Sequence, residues 1–153
     1  MANKFNLRVI TPGRIPYEGE AEVVTLPGTM GELAIMRDHM PLIVSLTYGL
    51  MRIKNEDEEK IASILGGFAE VVDNQVTVTS PDFHWPDEVD KDRARAALEA
   101  AERTISEAGD NLEVKHAQLA IRRANVRLEV SSYVQDRGRA GSGANDPSLQ
   151  SKT

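Results

Sequence analysis

The chain has 153 residues, 41% hydrophobic and 27% charged, with a net charge of −6 and no cysteine. This size and balance suit one domain with a small appendage and exclude wholesale disorder, disulfides and thiolate metal sites. The acidic total argues against nucleic acid as a partner, because phosphate backbones select basic surfaces. No apolar run approaches the roughly 18–20 residues that span a bilayer. The opening MANKFNLRVI also lacks the apolar core of a secretory signal, so a cytosolic setting is expected.

Up to about residue 80 the dominant period is two, the spacing at which side chains share one face of a strand. FNLRVI alternates Phe5, Leu7 and Val9 with polar neighbours, and EKIASIL sets Ile61, Ser63 and Leu65 against Ala62 and Ile64. Asp73–Asn74, between FAEVV and QVTVT, suits a tight hairpin because both residues tolerate positive φ. A second hairpin is expected over Asn55–Glu59. Pro12–Gly13, Pro27–Gly28, Gly31, Gly49 and Gly66–Gly67 punctuate this half into short pieces, the pattern of an antiparallel sandwich or barrel. Pro81 and Pro86 bracket a linker, PDFHWP, whose Phe83 and Trp85 are expected to pack the following element onto the sandwich.

Beyond Pro86 the period becomes about 3.6. Ala94, Leu98, Ala101, Ile105 and Ala108 form one helical stripe, and Gly109 ends it. Asp110–Asn111–Leu112–Glu113 reads as a capping box opening a second helix, with Val114, Ala117, Ile121, Ala124 and Leu128 as its stripe. Alanine-rich stripes let two helices approach closely as an antiparallel hairpin. Residues 87–113 carry nine acidic and four basic side chains, whereas 114–139 carry two acidic and six basic, so an acidic helix lies beside a basic one. Leu119, Val126 and Val130 give the second helix another apolar edge, which must dock on the sandwich or on another protein. The expected division is a β-sandwich over 1–84, a helical hairpin over 87–134 and a disordered tail over 135–153, an α+β architecture.

No constellation for catalysis is present. His39, His84 and His116 lack metal-ligand spacing, and PGTMGEL lacks the Lys-Ser/Thr of a phosphate loop. A sandwich-fold enzyme or carbohydrate binder would need a carboxylate pair or an aromatic platform, and only 5% of residues are aromatic. Two features carry charge chemistry. Asp90, Arg93 and Ala94 stand at the first helix's N-terminus, where the dipole favours anions, although Asp90 as a simple cap accounts for the same pattern. Arg123 and Arg127 share one face of the second helix, and a solvated face near a helix C-terminus accounts for them equally. In an antiparallel hairpin, Arg93, Arg123 and Arg127 converge, and three guanidinium groups suit a polyphosphate.

The segments VITPGRIPYEGEAEVVTLPG, PGTMGELAIMRDHMPLIVSLTYGLMRI and GGFAEVVDNQVTV, followed by the Ala-rich helix pair, come in an order and spacing that is specific taken together. Over roughly residues 4–134 the chain resembles the epsilon subunit of bacterial F-type ATP synthase. The resemblance implies a β-sandwich of about ten strands and a helical hairpin. It implies a non-catalytic rotor part of the central stalk, peripheral to the cytoplasmic face of the bacterial plasma membrane. The sandwich would bind the gamma subunit and the c-ring, and the hairpin would regulate ATP hydrolysis. In the compact state the helices lie on the sandwich. In the extended state they rise along gamma, and their basic residues meet an acidic segment of the beta subunit and block rotation. The resemblance places Glu32 at the c-ring contact and His39 at the gamma contact. It also implies regulatory ATP, with no required cofactor, at an (Ile/Leu)-Asp-x-x-Arg-Ala motif matched by Val89, Asp90, Arg93 and Ala94, together with Arg123 and Arg127. An alternative on the same residues is a chain that is primarily an ATP sensor, its ligand holding the hairpin compact. One departure is Arg37–Asp38, where the family usually has Pro-Gly.

Overall fold

The computed structural model describes residues 3–107, 109 and 111–140, with side chains described through residue 133. The strands are β1 (Phe5–Thr11), β2 (Arg14–Ala21), β3 (Val23–Gly28), β4 (Gly31–Met36), β5 (Leu42–Asn55), β6 (Glu58–Val72), β7 (Gln75–Thr79) and β8 (Phe83–His84). A 3-10 turn over Pro86–Glu88 leads into helices α1 (Lys91–Glu107) and α2 (Asn111–Ala140). The hydrogen-bonded order is β2-β1-β7-β6-β5-β3-β4, with β8 added to β6. Every pairing is antiparallel except β1 with β7, which is parallel.

This continuous sheet becomes a sandwich because its two longest strands turn a corner. In β6, Ala62 and Ile64 face the core, and beyond the corner so do Ala69 and Val71; in β5 the inward set changes from Leu46 to Met51 and Ile53. An unbroken strand keeps one parity inward, so the switch marks a passage from one layer to the other. The β5–β6 register nevertheless holds from Leu42↔Val71 to Asn55↔Glu58, and the pair bends as a unit. The bend in β6 lies at Gly66 and Gly67, with φ of +82° and +104°. A β-carbon on Gly67 would overlap the Thr79 carbonyl oxygen, so both conformation and space demand glycine there.

Gly66–Gly67 therefore bend, and Gly49 lies within, strands that the sequence pattern has them ending, and β5 and β6 reach 14 and 15 residues. The described residues hold eight strands where the family resemblance implies about ten. The two hairpin turns fall where local chemistry puts them. Asp73 and Asn74 take φ of +48° and +61°, and Glu56 takes +49° between β5 and β6. Asp38 also stands at φ +61°, the conformation a glycine supplies freely. Its N–H donates to Asn74 Oδ1 at 2.9 Å, which ties the β4–β5 loop to the β6–β7 turn.

The sandwich core is built from large aliphatic side chains, among them Leu7, Val9, Leu26, Ile35, Met51, Ile53 and Ile64, all effectively excluded from solvent. Phe83 belongs to this core, and Trp85 packs against it, meeting Phe83 edge-on at 4.9 Å between ring centroids. The linker thus anchors the helices to the sandwich. The hairpin seam is thinner. Ala94 and Ala101 of α1 and Ala117 and Ala124 of α2 are its buried members. Leu98, Ile105, Val114, Ile121 and Leu128 are half-buried around them. Ala108 and Asp110 lie outside the described residues, and with them part of the first stripe and the first member of the capping box.

The second apolar edge of α2 docks on the sandwich, against β5 and β6. Val130 and Ser131 are fully buried, while Leu119 remains exposed. On that side of β6, Ser63 and Leu65 are buried as well, so the segment Ala62–Leu65 is covered on both faces. Polar clips reinforce the docking. Arg122 donates to Thr47 Oγ1 at 3.1 Å and lies over the Tyr48 ring, and Arg52 donates to Tyr133 Oη at 3.3 Å. Among the described residues no ion pair joins α1 to α2. Arg122, Arg123 and Arg127 of α2 reach the sandwich and the cleft described below instead of the acids of α1. Helix α2 also continues to Ala140, beyond the Gln135 at which the tail was expected to start. Extending a formed helix by a few residues costs little once its nucleus exists. The rest of that tail, residues 141–153, lies outside the described residues.

Candidate functional site

Three segments meet where the linker enters the hairpin. The chain leaves β8, makes its single turn and starts α1, and the antiparallel return brings the middle of α2 alongside. Asp90 caps α1: its Oδ1 accepts from the Arg93 N–H at 3.1 Å, and its carbonyl accepts from Ala94 N–H at 3.0 Å. The three segments enclose a cleft of about 460 Å³, within the range typical of small-molecule sites. Val89, Asp90, Arg93, Ala94 and Ala97 form one wall, Ala120, Arg123, Ala124 and Arg127 the other, and Asp82, His84 and Glu88 the base. All six residues expected at the nucleotide site therefore line one cavity.

The charged groups of the cleft divide into paired and open ones. Arg127 Nη2 donates to Asp82 Oδ2 at 2.7 Å. Glu88 receives Arg14 Nη1 at 2.7 Å through Oε2 and the Trp85 N–H at 3.0 Å through Oε1. Burial pushes the Glu88 carboxyl up, but the Arg14 hydrogen bond and charge, the Trp85 N–H and nearby His84 outweigh it, so it titrates below the ordinary carboxylate range. Asp90 is engaged in capping. Among the described residues the side chains of Arg93 and Arg123 have no ion-pair partner. Two uncommitted guanidinium groups beside a helix N-terminus make a good anion site. The small side chains of Ala94, Ala97, Ala120 and Ala124 add apolar lining beside it.

Asp82, Glu88, Ala97 and Ala120 are not among the residues expected at the site, and His84 enters the sequence reading only as a histidine without metal-ligand spacing. The available signal for Asp82 and His84 was alternation: in an extended linker, they share the face opposite the core residue Phe83. The two contact residues lie elsewhere. Glu32 is exposed on β4, an edge strand, and pairs with Pro27. His39 is half-buried in the β4–β5 loop, its Nδ1 at 2.8 Å from the Met40 carbonyl oxygen. Nearby, Ile43, Phe68 and Val72 are exposed on the outer face of the β5–β6 pair, with Met36 and Met40 beside that end of the sheet. Among the described residues, no helix is long and apolar enough to cross a membrane, and no group of three or more acidic or histidine side chains is placed to hold a metal ion.

Comparison with known proteins agrees with this architecture piece by piece. The β-sandwich domain of the ATP synthase delta/epsilon chain matches residues 4–86, and its long alpha-helix domain matches residues 87–132. The ATP synthase epsilon chain of Caldanaerobacter subterraneus subsp. tengcongensis is 38% identical over 137 residues, which is 89% of this chain and 99% of that one. That of Desulfitobacterium hafniense is 42% identical over 132 residues, 86% of this chain and 98% of that one. A chain in the Euglena gracilis mitochondrial ATP synthase assembly of OSCP, F1 and c-ring superposes with a TM-score of 0.74 at 20% identity, covering 86% of this chain and 82% of that one, and so shares the fold. A β-sandwich domain followed by a helical domain, as in these epsilon chains, is the make-up of a non-catalytic subunit. The chain belongs to the ATP synthase delta/epsilon chain family.

Proposed function

We propose that this chain is the epsilon-type rotor subunit in the central stalk of an F-type ATP synthase, with its helical hairpin serving as a nucleotide-responsive brake on ATP hydrolysis. The observation that carries this reading is the weak attachment of α2. Its apolar edge rests on β5 and β6 through Val130, Ser131 and a few polar clips, a face that another surface of similar chemistry can replace. Once released, Arg122, Arg123 and Arg127 present a basic face suited to an acidic segment of the beta subunit. The exposed face of Ile43, Phe68 and Val72 next to His39 supports a gamma-subunit contact, because apolar patches of this kind mark interfaces. Glu32, beside the exposed Met30 turn, is the corresponding c-ring contact. Through these partners the subunit is peripheral to the membrane, on its cytoplasmic face.

ATP is the regulatory ligand in this reading. Its phosphates engage Arg93, Arg123 and Arg127 and its base lies along the alanine wall, holding the hairpin compact. Two measurements test the pair of claims. Truncation after residue 86 relieves inhibition of ATP hydrolysis in the reconstituted synthase, and unchanged inhibition rejects the brake. In calorimetry on the isolated chain, Arg93→Ala and Arg123→Ala each weaken ATP binding at least tenfold, as expected for loss of a charge-assisted contact worth about 1.5–3 kcal/mol. Equal heats in wild type and variants reject the site.

A further inference from the structure

Of the three arginines in the cleft, one is already occupied. Arg127 is held from across the cavity by Asp82, a residue of the linker and not of the helices. We propose that Asp82 is an internal competitor for the phosphate end of the ligand: its carboxylate takes the place on Arg127 that a phosphate would take, and an incoming ligand must displace it. The inference rests on the reading of the cleft as a nucleotide site and adds a control that this reading does not contain.

The geometry distinguishes a stand-in from a permanent strut. The Asp82 backbone is fixed, its carbonyl accepting from Ser80 Oγ at 2.9 Å and from the Leu65 N–H at 3.3 Å. The side chain, however, meets Arg127 through one nitrogen only. Arg127 Nε is buried with no hydrogen-bond partner, although a guanidinium opposite a well-placed carboxylate normally bonds through two nitrogens. The other carboxylate oxygen, Asp82 Oδ1, sits at an ion-pair distance of 2.7 Å from His84 Nδ1, but neither atom completes a hydrogen bond. Buried polar atoms left unpaired are costly, and a structural salt bridge is expected to have resolved them. A phosphate group, with three acceptor oxygens, can engage both Nη2 and Nε of Arg127. The displaced carboxylate then has His84 beside it, with Glu88 already committed to Arg14.

Two consequences follow from the one contact. Without ligand, Asp82 ties α2 to the sandwich, so hairpin docking does not depend wholly on nucleotide. With ligand, part of the binding free energy is spent on breaking that tie, and the apparent affinity falls by the fraction of chains whose Arg127 is free. The linker carboxylate thereby sets the nucleotide concentration at which the site responds.

The test is titration of the full chain with ATP and, separately, with inorganic tripolyphosphate, comparing wild type, Asp82→Asn and Glu88→Gln. Asp82→Asn keeps the shape and removes the competing charge, and it tightens binding of both ligands on the order of tenfold. Glu88→Gln removes a charge from the same cleft without touching Arg127 and gives a smaller gain. In the absence of ligand, Asp82→Asn also speeds amide exchange in residues 120–133, and saturating ATP restores protection. Equal or weaker binding by Asp82→Asn makes Asp82 a positioning residue and overturns the proposal. So does an equal gain from Glu88→Gln, which would reduce the effect to general charge, or a gain with ATP that tripolyphosphate does not share. Unchanged amide exchange rejects the tie to the sandwich. If no variant binds either ligand, the nucleotide reading itself fails and this inference with it. Wild-type binding without the Asp82 effect overturns this inference alone.

Discussion

The sandwich and the hairpin are built from opposite materials. The sandwich closes on Leu, Ile, Val, Met and Phe side chains that are almost wholly excluded from solvent, and its strands are joined edge to edge. The hairpin closes on four buried alanines and rests on the sandwich through one fully buried valine, a serine and a handful of arginine contacts. Large aliphatic groups each contribute about 1.5–3 kcal/mol on full burial, and alanine much less. Burial of large side chains therefore contributes more to the first region, while the second relies more on the surface it rests against. A platform with a large-residue core and a helical arm held by a thinner seam follow from these side-chain sizes.

Three measurements can break or sharpen this contrast. The largest effect belongs to the corner of β6. Gly67→Ala puts a β-carbon into the Thr79 carbonyl and a non-glycine residue at φ +104°, and it should destabilise the sandwich by about 3 kcal/mol. Thermal melting should fall on the order of 15 °C; a shift of only a few degrees would mean that the strand pair does not need its corner there. The intermediate effect belongs to the docking face. Val130→Ala should loosen α2 by about 1.5 kcal/mol through lost burial, read as faster amide exchange in α2 with little change in the sandwich transition. Should both regions lose stability together, the arm is not separable. The smallest effect concerns pH. Because the Glu88 carboxyl lies below its ordinary range, its pair with Arg14 contributes fully above the unfolded-state value and is lost as acidification passes through the lowered one. The stabilisation is under about 1 kcal/mol for so exposed a pair. Melting curves of Glu88→Gln should accordingly converge with wild type at low pH and separate above it, and parallel curves would remove the linker tie from the contrast.

What could be read from the sequence divides along the line between local and distant causes. The change of period at Pro86, the Asp73–Asn74 turn and the alanine seam are local signals, and each is where the alternation or the stripe put it. The cleft's helical members were legible for the same reason: an antiparallel return carries Arg123 and Arg127 to Asp90–Ala94 whatever else the chain does. Gly49 and Gly66–Gly67 were misleading, because a glycine that ends a strand and one that lies within or bends it look alike until the partner strand is known. Asp82, His84 and Glu88 were not legible as site residues. Their place depends on β8 landing on Ser63 and Ile64, twenty residues back in the chain, and no short-range pattern encodes that pairing.

One residue at this junction has a practical use. The chain contains a single tryptophan, Trp85. It lies edge-on to Phe83, its backbone N–H is held by Glu88, and it is placed between the last strand and the first turn of the arm. Its indole emission is therefore a label-free gauge of this junction. Release of the hairpin as proposed above would give a red shift, reversed by ligand, that can be followed without any added dye.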